Sequence, residues 1–516
     1  MYDVLFKNAT LIDGSGAPRQ QGSLAIKGGR IAAVGALVGA TAHTTIDATD
    51  LVLSPGFIDI HSHSDGGILH APEAESRILQ GVTSELGGNC GTSPRISQGP
   101  SSDGSDAGYT DLPAYFSALE TEKISTNLGM LIGHGAVRAA VIGYDNRPAT
   151  EADLDAMRLI VDQAMKAGAF GMSSGLIYPP SSYADVHELC AVAMALQDYY
   201  GIYETHMRHE DGDFLASLEE AATVGIYNSI PVEIAHLKVT GRKNWNITMH
   251  AGLAYIDKLR RQGVDITMDQ YPYTASSTSL NTLVPQWVHD GGREKFLERL
   301  SNPETRARIR QEILDHVALA EEEWSDYQVS RLPSGNHPDL EGKNLAEIAI
   351  ILGKEPVDAA LDLLVEEKGN IARVKFAMSE EDVELAMSHP FTMIGSDGGA
   401  SNLAAPGVPH PRSFATFARV LGHYSRNRKL FSLETAIQKM TGMPAWRMRL
   451  GDRGLLRPGF SADLVLFDPE TVIDTPTYTK PKQACEGIKQ VYVNGILTAE
   501  DGKHTGARAG MILRRS

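Results

Sequence analysis

Eight short apolar runs, each ending in polar or glycine residues and followed by sequence of helical periodicity, occupy most of the middle of this chain. They are Gly56 to His61, Thr83 to Cys90, Leu128 to His134, Ala169 to Ser174, Gly201 to His206, Pro231 to His236, Val264 to Asp269 and Phe391 to Asp397. Strand runs that alternate with helices are the signature of repeated β-α units on a parallel sheet. Eight such units close a (β/α)8 barrel, an α/β fold of the TIM type. Between them lie amphipathic segments such as Glu151 to Ala167, with Leu154, Met157, Ile160, Val161 and Ala164 at helical spacing. Ile371 to Met378 is a ninth strand candidate and leaves the order of the last strands open.

The ends of the chain read differently. Residues 1–55 alternate apolar and polar positions around turn signals, as in Val4 to Asp13, the Gly14-Ser15-Gly16 turn and Gly29 to Gly35. Residues 455–516 do the same through Ala462 to Asp468, Ile488 to Gly495 and Met511 to Arg514. Neither end is large enough to bury a core by itself, so the two are expected to combine into one small β-sandwich beside a barrel at 56–454. The stretch at about 288–352 exceeds a normal β-α connection and carries charged helical sequence such as Glu304 to Leu314. It is expected to be an inserted helical subdomain, either a lid or a peripheral decoration.

Composition narrows the classes of function. A formal charge of −17 lacks the basic footprint that nucleic acid requires, so an anionic partner must be met locally. No window approaches the run of about 20 apolar residues that crosses a membrane. The chain opens directly into strand-like sequence at Met1 to Asn8, without a secretory pattern, and Cys90, Cys190 and Cys485 are too few for a disulfide framework. These features place the expected location in the cytoplasm. The oligomeric state is not legible.

Barrel enzymes carry their reactive groups at the C-terminal ends of the strands. Here those ends bear His61 and His63 after the first, Cys90 after the second, His206 after the fifth, His236 after the sixth and Asp397 after the eighth. In an extended chain His61 and His63 share a face and can grip one ion. A thiolate, several imidazoles and a carboxylate favour Zn2+ over a hard cation. Cys90, His206 and His236 make a three-ligand zinc site with an open position for water. Gly168 to Gly175, the fourth strand end, contains no lysine to serve as a carboxylated bridge between two metals.

Longer motifs add to this pattern: Gly56 to Asp65, Gly81-Val82-Thr83 with Gly88-Asn89-Cys90-Gly91, Gly171 to Pro180, Thr205 to Arg208, Ala235 to Lys238, Asp269 to Thr274, Gly395 to Gly398, His410-Pro411-Arg412 and Gly459 to Asp463. Through them the chain resembles the amidohydrolase superfamily, and within it the N-acyl-D-amino-acid deacylases, over nearly its whole length. The resemblance implies hydrolysis of N-acyl-D-amino acids to a carboxylate and a free D-amino acid. It also implies one zinc held tightly by Cys90, His206 and His236, with a weaker or empty second position near His61, His63 and Asp397. Asp397 is the expected acid-base group, accepting the water proton and passing it to the departing nitrogen. Stereochemistry rests on the resemblance alone.

The substrate is expected to be a small N-acyl amino acid whose free α-carboxylate needs a cation. Arg412 offers a fork for it, with Lys238, Tyr273 and Tyr178 as further candidates. Relatives acting on acyl-D-glutamate are expected to place an arginine after Tyr273, but Thr278 to Trp287 contains no basic residue. An apolar or neutral pocket walled by Leu280 and Leu283 is therefore expected. Rival readings are a dipeptidase acting on a C-terminal D-residue, a cyclic-amide hydrolase, a deaminase, and a barrel kept only as a binding module. Cyclic amides lack the carboxylate that Arg412 would hold, and a binding module has no need of six ligand-type side chains.

Overall fold

The computed structural model describes residues 1–94 and 111–515. Its centre is a ring of eight parallel strands: β1 (Phe57–Asp59), β2 (Val82–Gly87), β3 (Asn127–Gly133), β4 (Gly171–Gly175), β5 (Ile202–His206), β6 (Val232–Ile234), β7 (Ile266–Gln270) and β8 (Thr392–Ile394). Each strand pairs in parallel with the next. Backbone hydrogen bonds close the ring just beyond the strands, where Asp397 donates to the His61 carbonyl at 2.8 Å and His63 to the Gly398 carbonyl at 2.7 Å. The eight predicted runs are the eight barrel strands. Closure leaves this ring without an edge.

The helix Glu151–Lys166 shows how local sequence sets these elements. Thr150 and Asp153 form a reciprocal capping box at its start, and Leu154, Met157, Val161, Ala164 and Met165 are buried. A cap of this kind contributes about 1 kcal/mol. Most of the stability comes from the apolar stripe, at about 1.5–3 kcal/mol for each large side chain buried.

The two ends of the chain meet in one nine-stranded sheet, joined where Val52–Pro55 pairs antiparallel with Leu464–Phe467. Three strand steps separate Tyr2–Leu11 from Ile488–Val493, about 14 Å in a flat sheet. Yet the Phe6 and Tyr492 rings stand only 5.4 Å apart, so the sheet curls over itself as a sandwich. Leu53, Leu464 and Leu466 fill its interior, while Val52, Val465 and Phe467 point the other way, onto Phe57 and Val82 of the barrel. Alternation along these two joined strands thus serves the sandwich core with one face and the barrel layer with the other.

Between β7 and β8 lies a second small sheet, Ala275–Ser279, Tyr327–Arg331 and Ala372–Phe376, with the last strand antiparallel to both others. Helices Gly292–Ser301, Pro303–Leu319, Leu345–Leu352 and Pro356–Glu366 pack on a core running from Leu280 to Ile371. The excursion therefore exceeds the expected 288–352 at both ends and contains strands as well as helices. Its closing strand is the ninth candidate, excluded from the barrel because its neighbours run antiparallel.

Candidate functional site

Six side chains from five strand ends converge inside the rim of the barrel. Cys90 Sγ lies 3.3 Å from His61 Nε2 and 3.5 Å from His236 Nε2, and His236 Nε2 lies 2.9 Å from His206 Nδ1. His63 Nε2 approaches Asp397 Oδ1 at 3.1 Å. Three overlapping triads, His61/His63/Cys90, Cys90/His206/His236 and His61/His236/Asp397, hold their donor atoms within 4.8 Å of one another. Cys90 belongs to two of them. Its sulfur stands between the two halves that the sequence reading keeps apart.

The backbone is bent to achieve this. Cys90, His236 and Asp397 have φ of 53°, 31° and 51°, a left-handed conformation that costs a non-glycine residue about 1–3 kcal/mol. Each follows a strand and turns its side chain inward, and strain of this kind gathers at functional sites. Close packing around the thiol loop demands glycine at two places. A Cβ on Gly91 would meet Gly175 N at 2.5 Å, and one on Gly175 would meet the Cys90 carbonyl at 2.1 Å.

Three carboxylates hold these groups in place, Asp269 and Glu204 buried and Glu210 half-buried on the cavity wall, and the strand-end pattern gives none of them a role. Asp269 accepts from the His236 backbone N–H at 3.0 Å and pairs with His61 Nδ1 at 3.1 Å. Glu204 accepts the Cys90 N–H at 3.0 Å. Glu210 accepts from Lys238 Nζ and lies 3.3 Å from His236 Nδ1. The available signals are weak: Asp269 lies at a strand end, Glu204 shares a strand face with His206, and Glu210 follows His206 by four residues. Carboxylates behind metal-binding imidazoles fix ring orientation and raise ligand basicity.

The local field prepares the donors unequally. Burial works against a thiolate, but the imidazoles of His61 and His236 outweigh it and hold Cys90 well below the usual thiol range. Burial, then the Lys238 ammonium, pushes His236 down to about 4, and burial also lowers His206. Thiolate and neutral imidazole are the forms a metal needs. At His61 and His63 burial opposes a proton, yet Asp269 and Asp397 together with Cys90 outweigh it, raising His61 well above its ordinary value and His63 to about 10. Asp397 is disfavoured as a carboxylate by burial, but Arg412 and the imidazoles hold it well below the usual range. The donor set fits a borderline-soft divalent ion, and the buried His206 Nε2 has no hydrogen-bond partner among the described residues.

A cavity of about 460 Å³ opens beside His206 and Asp397, with Tyr178 and Lys238 on its wall. Tyr178 accepts from Thr278 Oγ1 at 3.0 Å and sets its ring edge against His206 at 5.1 Å. Lys238 is engaged by Glu210 and by His236 Nδ1 at 2.7 Å. Arg412 is buried behind this wall: Nη1 meets Asp397 Oδ2 at 2.8 Å, and Nη2 donates to the Ser277 carbonyl at 3.0 Å. Its fork is occupied rather than open.

Three expectations about the pocket need correction. Tyr273 turns away from the cavity, packing on His410 at 5.1 Å under the Arg419 guanidinium, because residues one and three after β7 enter the apolar layer around β1. Leu280 and Leu283 are not walls. They lie in a 3-10 turn whose apolar side faces the core of the excursion. Nor is the pocket apolar, since Arg373, Lys375 and His316 line it.

An eight-stranded parallel barrel with a thiolate, imidazoles and carboxylates gathered at its C-terminal rim defines a metal-dependent barrel enzyme. The amidohydrolase family model matches residues 44–499, and this chain belongs to that family. D-aminoacylase of Alcaligenes xylosoxydans xylosoxydans is 37% identical over 100% of this chain and 98% of its own length. A solved D-aminoacylase, described by one-metal activation and second-metal attenuation of its binuclear centre, superposes with a TM-score of 0.84 at 35% identity over 100% of both chains. N-acyl-D-glutamate deacylase from Bordetella bronchiseptica, complexed with zinc and a phosphonate mimic of the tetrahedral intermediate, gives a TM-score of 0.84 at 32% identity over 99% of both. Among the described residues no helix is long and apolar enough to cross a membrane.

Proposed function

We propose that this chain hydrolyses the amide bond of N-acyl-D-amino acids, with one zinc held by Cys90, His206 and His236. The observation that carries the reading is the convergence of six metal-type donors beside one cavity, with His206 and Asp397 on its wall together with cations suited to a carboxylate. The relatives named for D-aminoacylase and N-acyl-D-glutamate deacylase activity support the substrate and its configuration, and the zinc-complexed relative supports the metal. A second ion site among His61, His63 and Asp397 is weaker, consistent with a relative whose second metal attenuates activity.

When bound, zinc supplies Lewis-acid polarisation of the amide carbonyl and a water nucleophile at neutral pH. Asp397 takes the proton of the attacking water as the carbon–oxygen bond forms, then hands it to the nitrogen as the carbon–nitrogen bond breaks. The amine leaves only when protonated, so this carboxylate serves both half-reactions. Arg412 holds the substrate α-carboxylate. Because the same guanidinium now pairs with Asp397, substrate binding draws it away and leaves Asp397 a stronger base. Tyr178 and Lys238 orient the substrate from the cavity wall. Asp269 and Glu210 keep the imidazole rings aimed, and Glu204 holds the Cys90 backbone.

The test is zinc content by atomic emission, paired with turnover of N-acetyl-D- and N-acetyl-L-amino acids resolved by chiral chromatography. One retained zinc per chain and cleavage of the D-form are expected, with both lost in Cys90→Ala. Selective cleavage of the L-form, or a fully metallated and active Cys90→Ala, refutes the assignment. Hydantoin or dihydrouracil turnover untouched by Arg412→Ala would favour a cyclic-amide hydrolase instead.

A further inference from the structure

Among the described residues, one cation on the cavity wall has no carboxylate paired with it. Arg373 pairs across the small sheet with Thr278, and Lys375 with Ser276, so alternation puts these four side chains on one sheet face. All four line the cavity. The stretch after Tyr273, which has no basic residue of its own, thus receives one from the neighbouring strand. Arg373 Nη2 donates to Thr282 Oγ1 at 2.8 Å, inside that stretch.

Every other lysine or arginine on this wall has a carboxylate. Arg208 pairs with Glu220 at 2.8 Å, Lys238 with Glu210 at 2.5 Å and Lys375 with Glu322 at 2.5 Å. Arg373 is 6% exposed, has no carboxylate within ion-pair distance among the described residues, and leaves Nε and Nη1 without any acceptor. A guanidinium does not shed its proton to escape burial. An uncompensated buried charge is costly and persists where a ligand supplies the counter-ion. The Tyr327 ring lies 5.6 Å from the Arg373 guanidinium carbon and 5.2 Å from Lys375 Nζ, and Glu322 accepts from the Tyr327 hydroxyl, so both cations are held in place.

The location matches a substrate side chain. Thr278, the cross-strand partner of Arg373, donates to Tyr178, whose ring touches His206. Arg373 is therefore one layer of side chains away from the reacting centre, on the small sheet whose Ser277 carbonyl accepts from Arg412. We propose that Arg373 binds a carboxylate on the substrate side chain, making the preferred substrates N-acyl derivatives of acidic D-amino acids. This rests on the deacylase reading above and names its substrate class.

The test compares kcat/KM of the zinc-loaded enzyme for N-acetyl-D-glutamate, N-acetyl-D-aspartate and N-acetyl-D-leucine, in wild type, Arg373→Met and Arg373→Lys. Wild type should favour at least one acidic substrate by about 100-fold or more, since a site built around a polar contact rejects an analogue lacking it. In Arg373→Met the acidic substrate should lose about 100-fold, mostly in KM, because the contact is remote from the bond being broken. The ratio between acidic and leucine substrates collapses, while Arg373→Lys restores part of it. An equal loss on all three substrates overturns the proposal, since Arg373 would then serve the common α-carboxylate or the fold. So does a wild type that prefers leucine, a result available even if Arg373→Met does not fold. Absence of turnover on every N-acetyl-D-amino acid overturns the deacylase reading itself, whereas turnover without acidic preference overturns only the role of Arg373.

Discussion

Asp269→Asn tests whether the metal site depends on support from behind its ligands. Asp269 is buried, its Oδ1 accepts the His236 N–H at 3.0 Å and its Oδ2 meets His61 Nδ1 at 3.1 Å. Asparagine preserves the shape and the acceptor for His236 but removes the negative charge that orients His61. At the second ion position, which His61 serves, losing such a partner lowers metal affinity about 10–100-fold, or about 1.4–2.7 kcal/mol. Asp269→Ala should do more, because the His236 N–H is left unpaired in the interior and the fold loses about 1–3 kcal/mol further. Competition between zinc-free protein and a chromophoric chelator measures the first effect; urea unfolding of the zinc-free variants measures the second. Affinity of Asp269→Asn for a second zinc within twofold of wild type, with an unchanged circular dichroism spectrum, would refute the orienting role.

Gly395→Ala should disturb the same group from the opposite side, since its Cβ would lie 2.6 Å from both Asp269 Oδ1 and His61 Cβ. A loss of about 1–3 kcal/mol in thermal unfolding, with weaker zinc binding, is expected from such overpacking; unaltered zinc binding contradicts it. Glu210→Gln removes the anion facing Lys238 and His236, and about tenfold weaker zinc retention in dialysis against chelator is expected. Retention equal to wild type would make Glu210 a partner of Lys238 alone. A pH test uses Lys439, which burial lowers from 10.5 to about 8 although Nζ donates to the His389 and Thr392 carbonyls. Between pH 8 and 10.5 the unfolded chain holds a proton that the native chain has released, so this residue makes stability rise with pH in that window. The denaturation free energy of wild type minus that of Lys439→Met should grow from pH 7.5 to 10, and a constant or shrinking difference contradicts the shift.

Much of this architecture was legible before any coordinates. Parallel strands buried on both faces leave continuous apolar runs, and the helices between them leave a different period, so all eight barrel strands stood out. The ninth candidate, Ala372–Phe376, has the same apolar character and differs only in its antiparallel neighbours. Leu280 and Leu283 follow Tyr273 closely enough to suggest pocket walls, yet one 3-10 turn directs them into the core of the excursion. Tyr273 stands close to the strand end in sequence, yet it shares the apolar side of Tyr271 and faces away from the cavity.

The order of residues alone established which chemical groups stand at the strand ends. Side-chain chemistry and strand alternation are local, and a histidine two residues after another shares its face in any extended chain. Only the folded arrangement decided which charges meet. Asp269 and Glu204 became supports for His61 and Cys90 because their strands lie around one ring, and Arg373 kept its charge unpaired because Glu322 came nearer to Lys375. Charge balance in a buried site is set by distances through space, and chain order does not contain them until the strands have paired.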